Sequence, residues 1–316
     1  MHSPMLKMLH LQSTRLREDE TNRLVMGIFV GLLAASIGAL YTVYARWGIV
    51  RGLSSPDLTA LRFGVAGIAT LPLLLHAIFK RRETLIEKWR IWLAVSLMAG
   101  TPFGLLMFGA LQFAPASHVA VFPFSSMSVM GMLLGSWILN DPLTSRKTAG
   151  IAVVLAGLVL VSGIDASSFT VRSLLGDAMF IAAGTLWAGF GVLLRKHRLD
   201  PLLATSVIAF SALATYVPVY IWTTGAAGLL TASSAVFWTE VLVQGLIAGC
   251  GTLFTYAKMV SILGPARAAV FPALAPGFAA LMAWPVLGHF PHLEEVIGLL
   301  VVIAGLLFAV TAAPKR

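Results

Sequence analysis

Long apolar runs separated by short polar clusters dominate this chain. Ten runs reach the roughly 20 mostly apolar residues that a helix needs to cross a bilayer: 24–45, 57–79, 91–112, 116–139, 147–163, 173–194, 202–222, 237–260, 266–288 and 294–312. The clusters between them hold turn-forming residues, as in Ser54-Ser55-Pro56-Asp57, Asn140-Asp141-Pro142, Leu199-Asp200-Pro201 and Phe290-Pro291. The pattern predicts an all-α integral membrane protein with ten transmembrane helices. Residues 1–22 mix polar and apolar positions without a short apolar core and small-residue cleavage site, so they are expected to form a cytoplasmic tail.

The apolar text is written twice. Gly150-Ile-Ala-Val-Val-Leu-Ala-Gly-Leu158 returns as Gly298-Leu-Leu-Val-Val-Ile-Ala-Gly-Leu306, with six of nine positions identical. Ala120-Val-Phe-Pro123 returns as Ala269-Val-Phe-Pro272, and Trp89 and Ala99-Gly100 return as Trp238 and Ala248-Gly249. The matches keep their order, so the chain divides into two units, 24–163 and 173–312, of five spans each. An odd number of spans reverses direction, so the second unit is expected to be inverted relative to the first. That is the architecture of alternating access, with a site at the repeat interface.

Composition agrees. The chain has 316 residues, of which 58% are hydrophobic and 11% charged, against about 25% charged in a soluble domain. The net charge of +9 is no nucleic-acid footprint, because the basic residues sit in short clusters between apolar runs. With the N-terminus inside, 16 of the 22 basic residues fall on inner segments and 3 on outer ones, which places both termini in the cytoplasm. The single cysteine, Cys250, permits no disulfide within the chain. Trp47, Trp89, Trp137, Trp222 and Trp238 fall at span ends, as an interfacial belt requires, while Trp187 lies well inside the sixth span.

These features resemble the drug/metabolite transporter superfamily, specifically its ten-span members with two EamA domains. The resemblance rests on the doubled five-span unit and on the Asp57-Leu-Thr-Ala-Leu-Arg-Phe63 opening of the second span. It rests also on the Gly109-Ala-Leu-Gln-Phe-Ala-Pro-Ala116 junction and the Gly-x-x-Val-Val-x-Ala-Gly-Leu helix closing each half. Members commonly carry Gly-Glu at the end of the fourth span; this chain has Asn140-Asp141 and, in the second half, Gly288-His289. The resemblance implies a secondary transporter of the inner (plasma) membrane, often an exporter of amino acids or other small metabolites.

Ionisable residues within the spans are the first candidates for chemistry. The first span has no acid, and apart from Asp57, Glu294 and Glu295 in the first two positions of their spans only Asp177 and Glu240 fall within spans, near their outer ends. The small multidrug relatives, which resemble half of this chain, use a first-span Glu to exchange protons for cations, so the resemblance implies that a lipophilic cation is not the substrate. Arg62 lies a turn and a half into the second span, where a central charge costs about 2.5–3.5 kcal/mol. It either binds a substrate carboxylate bidentately, pairs with Asp57, or snorkels to the headgroups. His118, at the start of the fourth span, is a candidate proton relay. Ser125 and Ser128 share a face of that span, and Pro123 leaves the Val119 carbonyl bare. Pro272 and Pro276 recur at a similar depth in span nine, and Pro102 is expected to face Gly249-Cys250-Gly251. A cavity among spans three, four, eight and nine follows, with Phe103, Trp187 and Tyr256 as walls. Lys258 and Arg267 bracket the inner junction of spans eight and nine, as a vestibule or as anchoring charges.

His289-Phe-Pro-His-Leu-Glu-Glu295 reads as a helix start with acids on its positive end rather than as a metal site. No cofactor motif is found, and no HExxH, Gly-x-Ser-x-Gly or Walker pattern points to an enzyme. The expected partners are the lipid bilayer and a small solute, with a carboxylate if Arg62 contacts it. The pairs Gly27/Gly31, Gly100/Gly104, Gly131/Gly135 and Gly245/Gly249 permit close helix approach within or between chains, leaving the oligomer open. Three readings remain: a proton-coupled exporter, an uncoupled facilitator or importer, and a membrane-embedded enzyme or scaffold.

Overall fold

The computed structural model describes residues 4–114, 116–164, 166–288 and 290–311. His289 of the histidine–glutamate cluster, Asp165, and the C-terminal Lys315 and Arg316 lie outside them. Every regular element among the described residues is a helix. Ten are long and apolar enough to cross a membrane. They are span 1 (Thr21–Val50), span 2 (Ser55–Lys80), span 3 (Trp89–Ala110), span 4 (His118–Leu139) and span 5 (Ser145–Ser162). Then come span 6 (Val171–Lys196), span 7 (Pro201–Thr224), span 8 (Ser234–Leu263), span 9 (Pro265–Leu287) and span 10 (Leu293–Val310). The protein is an all-α, multi-pass membrane protein. The largest departure from the expected ends is at span 1, which runs to Val50 and whose helix already begins at Pro4.

Local sequence starts and stops these helices as polar capping demands. Thr144 accepts the Lys147 N–H ahead of span 5, and Asp200 accepts the Leu203 N–H with Pro201 in the first turn of span 7. Thr170 and Ser173 exchange hydrogen bonds at the start of span 6. Span 10 opens at Leu293, with the Glu295 carboxylate accepting the His292 N–H at 2.8 Å, the helix-start role expected of that cluster. Gly163, Gly225 and Gly288 close spans 5, 7 and 9 in the left-handed conformation.

Three spans are irregular. Span 3 breaks at Gly100 into Trp89–Ala99 and Thr101–Ala110, and a Cβ on Gly100 would stand 2.4 Å from the Ser96 carbonyl oxygen. Span 8 passes from α-helix to a π-helix over Val241–Cys250 and back. Span 9 is assembled from Pro265–Ala268, a 3-10 turn Phe271–Leu274 and Ala275–Leu287. Pro102, Pro272 and Pro276 each occupy the first turn of a new segment, where a missing N–H costs nothing. Pro123 instead sits inside a continuous helix, and its own carbonyl accepts the Ser126 hydroxyl at 2.9 Å.

The duplicated glycine helices pack on each other. A Cβ on Gly157 would lie 3.0 Å from the Gly298 carbonyl oxygen, and one on Gly305 would lie 2.8 Å from that of Gly150. Gly150 abuts Ala309 and Gly298 abuts Val161, so spans 5 and 10 cross antiparallel with reciprocal contacts. Span 2 packs on span 7, span 1 on spans 8 and 9, and span 6 on spans 3 and 4. The four other glycine pairs are used within the chain: Gly31 takes Phe271, Gly104 takes Phe63, Gly131 takes Ala269 and Gly245 takes Val65. Large apolar side chains such as Phe79, Trp137 and Trp222 remain exposed on the outside of the bundle, as contact with lipid tails requires.

Candidate functional site

Seven spans meet around one cleft inside the bundle, with a cavity volume of about 40 Å³. Span 1 contributes Ala34, Ala35, Gly38 and Tyr41, a run of small residues that lets the helix back away from the centre. Arg62 comes from span 2, Phe103 from span 3, Phe124 and Met127 from span 4, and Trp187 from span 6. Thr252 and Tyr256 of span 8 and Pro272 and Ala275 of span 9 complete the lining.

One wall is aromatic. Phe103 and Trp187 have ring centroids 4.7 Å apart, and Trp187 and Tyr256 lie 4.9 Å apart. Phe190 stacks behind Tyr256 at 5.9 Å. The Tyr256 hydroxyl lies where a side chain on Gly191 would be, 2.7 Å from a Cβ at that position. This glycine therefore makes room for the phenol.

The lining also carries Arg62, its one charged residue. Arg62 is 2% exposed, and its guanidinium carbon sits 4.6 Å from the centroid of the Tyr41 ring. Cation–π contact of this kind is worth about 0.5–2 kcal/mol. It does not replace the hydrogen bonds a guanidinium seeks, and Nη1 is buried without a partner. Thr252 Oγ1, also in the lining, has none either. The expected alternative partner, Asp57, is engaged elsewhere. Its Oδ2 accepts the Ser54 N–H at 2.7 Å and the Ser54 hydroxyl at 2.6 Å, and its Oδ1 accepts the Tyr220 hydroxyl. Asp57 thus ties the start of span 2 to the end of span 7. A guanidinium with an open donor and an orphaned hydroxyl, in one lining with aromatic rings, can hold a small anion bearing an apolar body.

Five of the sequence candidates, Arg62, Phe103, Trp187, Tyr256 and Pro272, share this cleft. The others lie apart from its lining. His118 is fully buried at the Val171 end of span 6, its Nδ1 2.6 Å from Asp177 Oδ1 and its Nε2 2.8 Å from Ser168 Oγ. Both ring nitrogens are engaged, and Phe122 and Phe169 flank the ring. Ser128 donates to the Phe124 and Ala269 carbonyls and joins spans 4 and 9, while Ser125 is half-buried on the same helix. Pro102, Pro123 and Pro276 shape the helices behind the lining. On span 8, Gly249 backs onto the Arg62 carbonyl and Gly251 onto Ile37. Lys258 is exposed, and Arg267 is half-buried. A second cleft near Lys258 is lined by Arg195, Arg198 and Ser261.

The cavity expected among spans 3, 4, 8 and 9 also takes in spans 1, 2 and 6. Tyr41 and Thr252 were missed because a single tyrosine or threonine in an apolar run carries no pattern of its own. Among the described residues no three His, Cys, Asp or Glu side chains gather as a metal site.

Ten apolar helices, seven of them lining one internal cleft with a single charged residue, define a polytopic membrane protein. The chain belongs to the EamA-like transporter family, whose model matches residues 25–163 and 174–311. It is similar to an uncharacterized transporter of Archaeoglobus fulgidus, 27% identical over 249 residues covering 74% of this chain and 81% of the relative. It is also similar to the uncharacterized transporter YwfM of Bacillus subtilis, 26% identical over 85% of this chain and 90% of the relative. A solved crystal structure shares the fold with a TM-score of 0.69 at 18% identity, covering 90% of this chain and 96% of that one.

Proposed function

We propose that this protein is a secondary transporter that exports a small carboxylate-bearing metabolite, such as an amino acid, across the cytoplasmic membrane. Arg62 is its anion anchor. The observation that carries this reading is the buried, partly unpartnered guanidinium facing a cleft lined by seven spans. A substrate carboxylate would supply the missing acceptor bidentately, Thr252 would take a second polar group, and Phe103, Trp187 and Tyr256 would receive the apolar part. Alternating access is supported by the doubled sequence of units 24–163 and 173–312 and by the antiparallel crossing of the matching spans 5 and 10. The basic-residue bias supports cytoplasmic termini. It also puts the cleft of Arg195, Arg198 and Ser261 on the inner side, as a vestibule that would gather anions for export.

The test compares metabolites inside and outside cells overexpressing the wild type or Arg62→Ala. A carboxylated metabolite enriched outside only with the wild type supports the proposal. No difference in any carboxylated metabolite between the two forms refutes it.

A further inference from the structure

Glu240 is the one carboxylate among the described residues that is fully buried with neither oxygen hydrogen-bonded. It stands on span 8 immediately before the π-helix Val241–Cys250. Such wide turns are rare and cluster at functional sites. One turn on is Gln244, also fully buried, whose Nε2 donates to the Tyr41 carbonyl at 2.8 Å. Gln244 Oε1 has no partner. The two carboxylate oxygens and the Gln244 amide lie close together, and the one donor beside the carboxyl is the Gln244 Nε2 that also serves the Tyr41 carbonyl.

The surroundings offer no counter-charge. Glu240 Oε1 packs beside Gly48, at 2.6 Å from where a Cβ would be, and Leu53 adjoins. Span 1 also brings Tyr41, Tyr44 and, at its exposed end, Arg46 and Arg51, the latter stacked on Trp47. Span 2 brings Asp57, held by Ser54 and Tyr220, and Arg62, stacked on Tyr41. Span 7 brings Tyr216 and Tyr220, and on span 8 itself Cys250 lies further along. None of these forms a hydrogen bond or ion pair with Glu240. An ionised carboxylate left this way inside a bilayer would cost several kcal/mol.

We propose that Glu240 is a proton-binding site that is occupied when span 8 closes against span 1 and emptied when they part. The carboxylate takes up one proton to become the acid, and its O–H donates to Gln244 Oε1. This completes a chain from Glu240 through Gln244 to the backbone of Tyr41, whose side chain lines the substrate cleft and carries Arg62 on its ring. When water reaches the carboxyl the proton leaves, the acceptors are hydrated, and the link to Tyr41 slackens. The site places a coupling ion next to the cleft, at an acid the sequence already sets inside a span. It does not depend on Arg62 binding an anion, so the two proposals fail separately.

The test treats the full-length protein in lipid nanodiscs with dicyclohexylcarbodiimide, an apolar reagent that adds the acid O–H of a protonated carboxyl across its C=N bond. Peptides are then mapped by mass spectrometry from about pH 5 to about pH 9. The expected result is an adduct on Glu240 that diminishes at least about ten-fold as pH rises across that range. In parallel, the melting temperature of the wild type should fall as pH rises above the ordinary carboxylate range, and Glu240→Gln should lose that fall. The sign follows from linkage: the closed state holds a proton that the unfolded chain has released, so rising pH favours unfolding. No adduct on Glu240 at any pH overturns the proposal. Equal pH slopes in both proteins also overturn it, and so does labelling that sodium controls at fixed pH, which would make this a metal-cation site.

Discussion

Replacing Arg62 with methionine should stabilise the empty protein and disable it. Methionine has similar reach, and it removes a charge that the structure leaves partly unpaired. On insertion scales an arginine at the bilayer centre costs about 2.5–3.5 kcal/mol. Stacking on Tyr41 offsets about 0.5–2 kcal/mol of that. The difference predicts a gain of roughly 0.5–3 kcal/mol on substitution, read as a rise of several degrees in melting temperature in detergent or nanodiscs. The effect on a carboxylated substrate has the opposite sign. Two charge-assisted hydrogen bonds of about 1.5–3 kcal/mol each are lost, so binding weakens by at least about 100-fold. The assay pairs thermal melting of the purified variant with efflux of the carboxylate identified in the metabolite comparison. A variant that melts lower than the wild type yet still moves the carboxylate would refute the reasoning and assign Arg62 a structural role.

Further outcomes follow from the packing. Gly157→Leu drives a side chain into the Val302 and Gly298 backbone, 2.8 and 3.0 Å from the first added atom, and should destabilise the protein by about 1–3 kcal/mol or prevent assembly; wild-type melting would contradict the span 5–span 10 crossing. Tyr220→Phe removes a hydroxyl from Asp57 and should lower stability by about 1–3 kcal/mol, a loss absent when Ser54 and Asp57 are already replaced by alanine. His118→Leu strips Asp177 of its buried partner and should cost about 3–5 kcal/mol, whereas His118→Gln, which can still donate, should cost less; equal melting of the two variants would count against the pair. His197, on the connection between spans 6 and 7, has its pKa lowered by burial and then by the charges of Lys196 and Lys88. Its neutral form is favoured in the folded state, so stability declines as pH falls below about 6.5. His197→Gln should show a shallower acid decline in melting temperature.

How much of the protein was legible in the chain depends on the range of the interactions involved. The ten spans could be read because a membrane helix needs only a long enough apolar run, and its ends are marked by nearby residues such as Thr144, Asp200 and Gly225. Arg62 stood out because a charge in such a run is expensive wherever its side chain finally points. Glu240 stood out as an acid within a span, but nothing in its spacing from Gln244 says how few donors its carboxylate would find.

The sequence by itself therefore determined the number of crossings, the doubled unit and a short set of costly residues, since each follows from local hydropathy and chemistry. Only the tertiary structure decided that Asp57 belongs to Tyr220 rather than to Arg62, and that His118 is taken by Asp177. It also decided that spans 1, 2 and 6 join the cleft and that Glu240 is buried without a partner. In a bilayer, helices gain no hydrophobic energy by meeting one another; which faces meet is set by small-residue approach and a few polar contacts between distant parts of the chain.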